Sequence, residues 1–175
     1  MRDRLGEIIN SLSKKNKNIY LIAADISPSG KIIEFKKKNP KNFINVGVAE
    51  QSMIGIGAGL AIRGKIPFLY TIATFAVYRP FEMIRDDLCY QNLPVTLIGM
   101  GSGTIYSTLG STHTANEDVG VLRTLPNIKI FTPCDALELE QIVKYCAFKS
   151  KGPNYIRIGK SGEKNSHQSP TLHSF

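Results

Sequence analysis

Six short apolar stretches, each of strand length and most separated from the next by a helical pattern, constrain this chain more than anything else in it. They fall at 19–25 (IYLIAAD), 43–46, 66–72, 95–100 (VTLIGM), 128–132 (IKIFT) and 154–158 (NYIRI). Such runs, nearly continuous in apolar residues, belong to strands buried on both faces. Helices are predicted between them. Leu5, Ile8, Ile9 and Leu12 stand at i, i+3, i+4 and i+7, which predicts a helix over 3–13. Further helices are expected over 49–62, 79–91, 116–125 and 135–148, the last with Asp135 as N-cap and Glu138 three positions on, a capping-box arrangement. Strands alternating with helices give an α/β domain: a doubly wound, mostly parallel sheet with helices on both faces, over residues 1–160. Residues 161–175 show no periodicity and are expected to form a disordered tail.

In such sheets ligands bind beyond the carboxyl ends of the strands. The loops to search are therefore those holding Asp25, Ser27 and Ser29, Glu50, the segment 71–78, and His113. No Gly-rich phosphate fingerprint follows the first strand, so a dinucleotide site has little support.

Charge and composition exclude other classes. The net charge is +8, but the lysines gather in SKKNKN (13–18) and KKKNPK (36–41) without interleaved aromatics. They read as solvated loops and a helix end; attraction of phosphorylated substrates or of an acidic partner subunit stays open, and no nucleic-acid partner is expected. No apolar run approaches the roughly 18 residues of a membrane span, and MRDRLGEIIN has no signal-peptide core. A cytoplasmic protein without a membrane partner is expected. Cys89, Cys134 and Cys146 lack metal-ligand spacing; reduced, buried thiols are the expectation, with a catalytic thiol the lesser alternative, and no metal site is assigned to this chain.

The chemistry gathers around INVGVAEQSMIGIGAGLA (44–61), where one carboxylate, Glu50, opens a helix of small residues. On its own, Glu50 reads as a negative charge well placed in a first helical turn, worth about 0.3–1 kcal/mol. His113, in GSTHTANED, reads equally as a loop histidine or a partner of Glu117, and Phe75 as core packing.

Taken together, ADISPSG, NVGVAEQSMIGIGAGLAIRGKIPFLYTIATFAVYRPFEMIR, GSTHTANEDVGVLRTLPNIKIFTPCDALE and GPNYIRIGK stand in the order of the pyrimidine-binding domain of transketolases. The chain resembles that domain over about residues 2–160, and GVAEQ before a small-residue helix is the specific match. The likeness extends to deoxyxylulose-phosphate synthases and, more weakly, to the β subunits of 2-oxo-acid dehydrogenases. It implies thiamine diphosphate as cofactor, with Glu50 hydrogen-bonded to the aminopyrimidine so that the ring can take the thiazolium C2 proton. It further implies Phe75 stacked on that ring with Tyr78 nearby, Ile72 where many relatives have another aromatic, and Asp25 near the cofactor or the subunit contact. His113 is implied at the donor sugar's hydroxyls or the reacting oxygen; Arg2, Ser29 and Arg157 are implied at a substrate phosphate, a task that suits a guanidinium fork.

The sequence departs from the family at Leu109, where an acidic residue usually contacts a substrate hydroxyl, and at Gly101, where a phosphate-binding histidine is common. Both departures turn the expectation from the usual pentose phosphates toward a more specialised sugar. The family's GDG signature for Mg²⁺ and diphosphate is absent from the 175 residues. The resemblance therefore implies a split enzyme: a diphosphate-binding transketolase N-terminal subunit holding Mg²⁺, joined with this chain in a homodimer or heterotetramer and active only together, on a sugar or sugar phosphate. Two alternatives stay open, a 2-oxo-acid dehydrogenase or synthase subunit and a non-catalytic interaction protein.

Overall fold

A computed structural model describes residues 1–26 and 30–160. In chain order its elements are α1 (Arg2–Lys15), β1 (Ile19–Ala23), α2 (Gly30–Lys38), β2 (Phe43–Asn45), α3 (Glu50–Ile62), β3 (Ile66–Ile72), α4 (Ala73–Val77), α5 (Phe81–Met83) running into a π-helical segment (Ile84–Tyr90), β4 (Thr96–Met100), α6 (Asp118–Leu122), β5 (Lys129–Phe131), α7 (Ala136–Phe148) and β6 (Asn154–Ile158). The six strands form one sheet in the order β2-β1-β3-β4-β6-β5, and every pairing is parallel.

Successive residues of a strand point to opposite faces, and β3 shows the result. Phe68 and Tyr70 face a core built with Leu5 and Ile9 of α1, Ile32 and Phe35 of α2 and Leu139 and Val143 of α7. Leu69 faces the other core, with Met53, Ile54 and Ala58 of α3, Val77, Leu88 and Leu122. Each such fully buried side chain contributes about 1.5–3 kcal/mol, so both faces of the sheet are anchored. Helix α3 lies very close to the sheet: a Cβ at Gly57 would stand 2.8 Å from Leu69 Cδ2. The small residues of α3 thus serve its own sheet first, while Gly55 and Gly59 face open space.

The structure corrects three expectations. Helix α2 was not expected; its nine residues bury only Ile32 and Phe35 among four lysines, too few apolar positions to reveal a period. The helix expected over 79–91 begins only at Phe81, because Pro80 lacks the N–H a helix would use, and residues 78–80 form a turn after α4. Asp135 caps α7 as expected, accepting from the Leu137 and Glu138 N–H groups, and the Glu138 carboxylate reaches back to accept the Cys134 N–H. Cys134 is itself exposed, whereas Cys89 and Cys146 are free and buried as expected. Residues 161–175, expected to be disordered, lie outside the described residues.

The lysine runs sit where helices end and strands begin. Lys14 and Lys15 close α1, and Lys36, Lys37 and Lys38 close α2, where cations favour the helix carbonyl ends. Asn42 ties the two runs together by donating to the Lys17 and Ile19 carbonyls. This pole is opposite the carboxyl ends of the strands, so these lysines do not line the loops that carry the candidate residues. No helix among the described residues is long and apolar enough to cross a membrane.

Burial pushes the Cys146 thiol up to about 12 and the Cys89 thiol up to about 11, and lifts the Tyr155 hydroxyl well above its ordinary range. The folded chain keeps these groups neutral, while an unfolded chain begins to ionise them near the ordinary thiol value of 9.0. Their contribution is complete below that pH and is lost as pH rises from about 9 toward 12. Urea denaturation at stepped alkaline pH is expected to show falling stability across that window. A flat profile would contradict the burial of these groups.

Candidate functional site

The carboxyl ends of β1 to β4 bring the candidate residues to one side of the molecule. Asn45 ends β2 and organises the first corner: its Oδ1 accepts the Asp25 N–H at 3.2 Å and the Gly47 N–H at 3.1 Å. Asp25 is exposed, with a left-handed backbone at φ 36°, a region that Asp tolerates better than most residues. Gly47 (φ 70°) then turns the chain into α3, placing Glu50 in its first turn.

Glu50 is buried, its side chain 5% exposed, and is paired with a residue that the sequence did not single out. Arg79 Nη1 donates to Glu50 Oε1 at 2.9 Å. The same guanidinium lies on the ring of Phe75, with Cζ 3.9 Å from the centroid. His113 stands against Phe75 in an edge arrangement, with centroids 5.1 Å apart and the planes at 74°. Four side chains from α3, α4, the turn before α5 and the loop after β4 thus form one continuous row. Only Arg79 was missing from the sequence reading. Its signal was the YRP triplet: an arginine on the break that Pro80 makes between two helices.

Tyr78 does not face Glu50 in this row. Its hydroxyl donates to Glu117 Oε2 at 2.9 Å and accepts the Glu117 N–H at 3.2 Å, tying the turn after α4 to the start of α6. Burial and the Glu117 carboxylate push the phenol up to about 12, so it stays a neutral donor. Glu117 is therefore the partner of Tyr78, and His113 Nδ1 lies 3.0 Å from Thr112 Oγ1 instead. Ile72 is half-buried on the opposite face of the sheet, packed against the α1 and α7 core.

The loop carrying His113 is closed at its base by an antiparallel bridge between Gly103 and Ala115. Arg157 holds that base: its Nη2 donates to the Ala115 carbonyl at 3.1 Å and its Nε to Asp118 Oδ2 at 2.9 Å. Tyr155 donates its hydroxyl to the same oxygen at 2.8 Å. Two of the Arg157 donors are thus engaged in bracing the loop.

Arg2 opens α1 at the end of the helix near β3 and β4. Its Nε is buried without a hydrogen-bond partner among the described residues, as is the Tyr70 hydroxyl. Its charge acts on both Tyr70 and Tyr106. Lys160 Nζ stands 5.2 Å above the Tyr106 ring, a second cation in this corner that the sequence reading passed over. Ser29, expected with these residues, lies outside the described residues. Among the described residues no group of His, Cys, Asp or Glu could hold a metal ion.

Tyr106 also accounts for Gly101. Its ring lies directly where a Cβ on Gly101 would project, and Gly101 has φ 70°. A histidine at this position would meet both the ring and the strained backbone. Gly101→Ala is expected to cost about 2–4 kcal/mol, the left-handed conformation contributing about 1–2 of it. Pairing it with Tyr106→Ala should recover the steric part; equal urea midpoints for Gly101→Ala and the wild type would refute this packing.

Residues 1–163 match the family model described as transketolase, pyrimidine binding domain. The chain belongs to this family. Among curated relatives, a subunit of the apulose-4-phosphate transketolase of Actinobacillus succinogenes is 40% identical over 148 residues, 85% of this chain and 47% of that protein. A putative transketolase C-terminal section of Methanocaldococcus jannaschii is 37% identical over 90% of this chain and 50% of that one. The chain thus spans about half the length of the curated relatives it matches. A solved structure described as a split gene transketolase, inactive beta4 tetramer, superposes with a TM-score of 0.86 at 40% identity, over 99% of this chain and 55% of that one.

Within the transketolase family the row from Glu50 to His113 acquires its chemical meaning. A flat group bearing N–H donors already fits between the Phe75 face and the Glu50 carboxylate, as the Arg79 guanidinium shows. These two residues therefore have the shape and polarity to hold an aminopyrimidine.

Proposed function

We propose that this chain is the pyrimidine-binding half of a thiamine diphosphate-dependent transketolase-type enzyme, acting in the cytoplasm and transferring a two-carbon ketol unit between sugars. The observation that carries the reading is the buried Glu50 carboxylate at the head of α3, hydrogen-bonded to a planar nitrogen group lying on Phe75. Bound thiamine diphosphate supplies the electron sink for breaking and forming the carbon–carbon bond.

The chain's own residues do the rest. Glu50 holds a proton at a ring nitrogen of the aminopyrimidine and returns it during the cycle. Phe75 gives the ring a flat apolar wall, and Tyr78 fixes the turn that carries that wall through Glu117. His113, close to the bridge that closes the braced loop, hydrogen-bonds the donor sugar's hydroxyls or the reacting oxygen. Asp25 stands at the β1 corner near the cofactor or the subunit contact, and Ile72 lies behind the wall on the other side of the sheet. Arg2, whose buried Nε makes no hydrogen bond and only a 3.9 Å ion pair with Asp3, is the best placed of the expected phosphate ligands, and Ser29 is expected to share that task. Arg157 acts through the loop it braces, in keeping with its bonds to Asp118 and Ala115.

Mg²⁺ and the diphosphate are held by a partner, a diphosphate-binding transketolase N-terminal subunit, in a homodimer or heterotetramer. The open small-residue side of α3 at Gly55 and Gly59 is a close-packing surface for a partner chain. The relatives' names support the split: one is a single subunit of its enzyme, one a C-terminal section, and the structural neighbour is a split-gene beta4 tetramer called inactive. An apulose-4-phosphate enzyme among them supports a sugar phosphate as substrate, and Leu109, exposed where an acidic residue is usual, supports a specialised one.

The test is to capture the partner from cell extract and titrate thiamine diphosphate with Mg²⁺ on the complex and on the chain alone. Saturable binding only in the complex, followed by ketol transfer, is expected. Absence of binding in both would refute the reading.

A further inference from the structure

Glu50 and Phe75 make the two contacts that the reading above reserves for the aminopyrimidine, and in the structure both contacts go to Arg79. Its Cζ lies 3.9 Å from the Phe75 centroid and its Nη1 donates to Glu50 at 2.9 Å. A guanidinium suits this place because it is planar, delocalised and edged with N–H donors, and it stacks on aromatic faces. An aminopyrimidine has the same flat shape and a nitrogen-bearing edge. One face of Phe75 and one carboxylate oxygen cannot serve both groups at once.

The setting of Arg79 suits a side chain that leaves and returns. It sits in the turn between α4 and α5, whose backbone is held by the Tyr78–Glu117 bonds on one side and restarted by Pro80 on the other. Its side chain is 45% exposed while Glu50 is only 5% exposed. The guanidinium can therefore swing into water without moving the helix, whereas the carboxylate is fixed.

We propose that Arg79 is an internal competitor for the cofactor's aminopyrimidine ring: its guanidinium holds Phe75 and Glu50 until the ring displaces it. This rests on the proposed roles of Glu50 and Phe75. It gives the isolated chain a satisfied counterion for its buried carboxylate, and it sets the affinity of the cofactor through one side chain that takes no part in the chemistry.

The experiment uses the assembled complex of this chain with its diphosphate-binding partner, in which the proposed function expects binding, and two probes, 4-amino-5-hydroxymethyl-2-methylpyrimidine and methylguanidinium. Binding is followed by calorimetry, and the Arg79 Nε–H signal by nuclear magnetic resonance. Arg79→Ala is expected to bind the pyrimidine roughly 5- to 30-fold more tightly than the wild type, the worth of one stacked cation plus one half-exposed ion pair. Methylguanidinium should bind Arg79→Ala saturably and compete with the pyrimidine there. In the wild type, the pyrimidine should move the Arg79 Nε–H signal to its solvent-exchanging value. Arg79→Lys, which keeps the charge without the flat edge, should fall between, and it carries the comparison if the alanine variant folds poorly.

Equal or weaker pyrimidine binding in Arg79→Ala would overturn the proposal. If that equal binding disappears in Glu50→Ala, the cofactor reading survives and only the competition fails. No pyrimidine binding in any variant, with methylguanidinium still bound by Arg79→Ala, would remove both readings and leave a site for flat cations.

Discussion

Glu50→Gln in the assembled complex is expected to lower ketol transfer by about 10²–10⁴-fold, the range typical of losing a positioned proton-transfer group. The amide fills the same volume at the head of α3 and still hydrogen-bonds, so the wall at Phe75 stays in place. What it loses is the exchangeable proton and the charge. Stability should change by no more than about 1–2 kcal/mol, because Arg79 is 45% exposed and solvent screens the ion pair. For a chain of this size that is a shift of about 2–8 °C in Tm. Steady-state rates and thermal melts on the same preparation separate the two effects. A variant that keeps wild-type turnover would show that Glu50 is a helix-end charge and nothing more, while loss of turnover alongside global unfolding would assign it to structure.

The fold was legible wherever burial on both sides dominates composition. IPFLYTI and NYIRI are found as β3 and β6 at the expected bounds, because a central parallel strand has few polar positions to blur it. Legibility failed where few residues carry the packing. Helix α2 rests on Ile32 and Phe35 alone. The π-helical segment Ile84–Tyr90 obeys a spacing that a period of 3.6 does not describe. Helix α6 is five residues long, half the expected span.

At the site, the family resemblance pointed to Glu50, Phe75 and His113, which the local pattern alone left as a helix-end charge, core packing and a loop histidine, and the structure brings these three together with Arg79. The misses share one cause, which is that a side chain's partner lies far along the chain. Arg79 meets Glu50 across 29 residues, and Arg157 meets Asp118 across 39. The YRP triplet marks Arg79 as lying on a helix break but does not name its partner, and nothing local ties Arg157, expected at a substrate phosphate, to Asp118. Topology alone turns them toward their carboxylates.

Asp118→Ala is expected to be the most destabilising single change outside the two cores, at about 3–5 kcal/mol. The carboxylate is fully buried, and one oxygen, Oδ2, receives both the Tyr155 hydroxyl at 2.8 Å and Arg157 Nε at 2.9 Å. Removing it strands a buried hydroxyl and a cation that is only 27% exposed, and the cost of a group left without its partner exceeds the worth of the bond itself. The second oxygen, Oδ1, has no partner among the described residues. The network is therefore costly to break without being especially stabilising as built. That distinction is testable: adding Tyr155→Phe to Asp118→Ala should recover about 1–2 kcal/mol, because the stranded hydroxyl is gone. The same change reaches the site. Arg157 braces the Ala115 carbonyl only while Asp118 fixes its guanidinium, so amide exchange at Gly103 and Ala115, which close the loop carrying His113, should accelerate well beyond the global change. Exchange that rises equally everywhere would mean the network supports the fold without positioning His113, and a cost below about 1 kcal/mol would mean that Asp118 is replaceable.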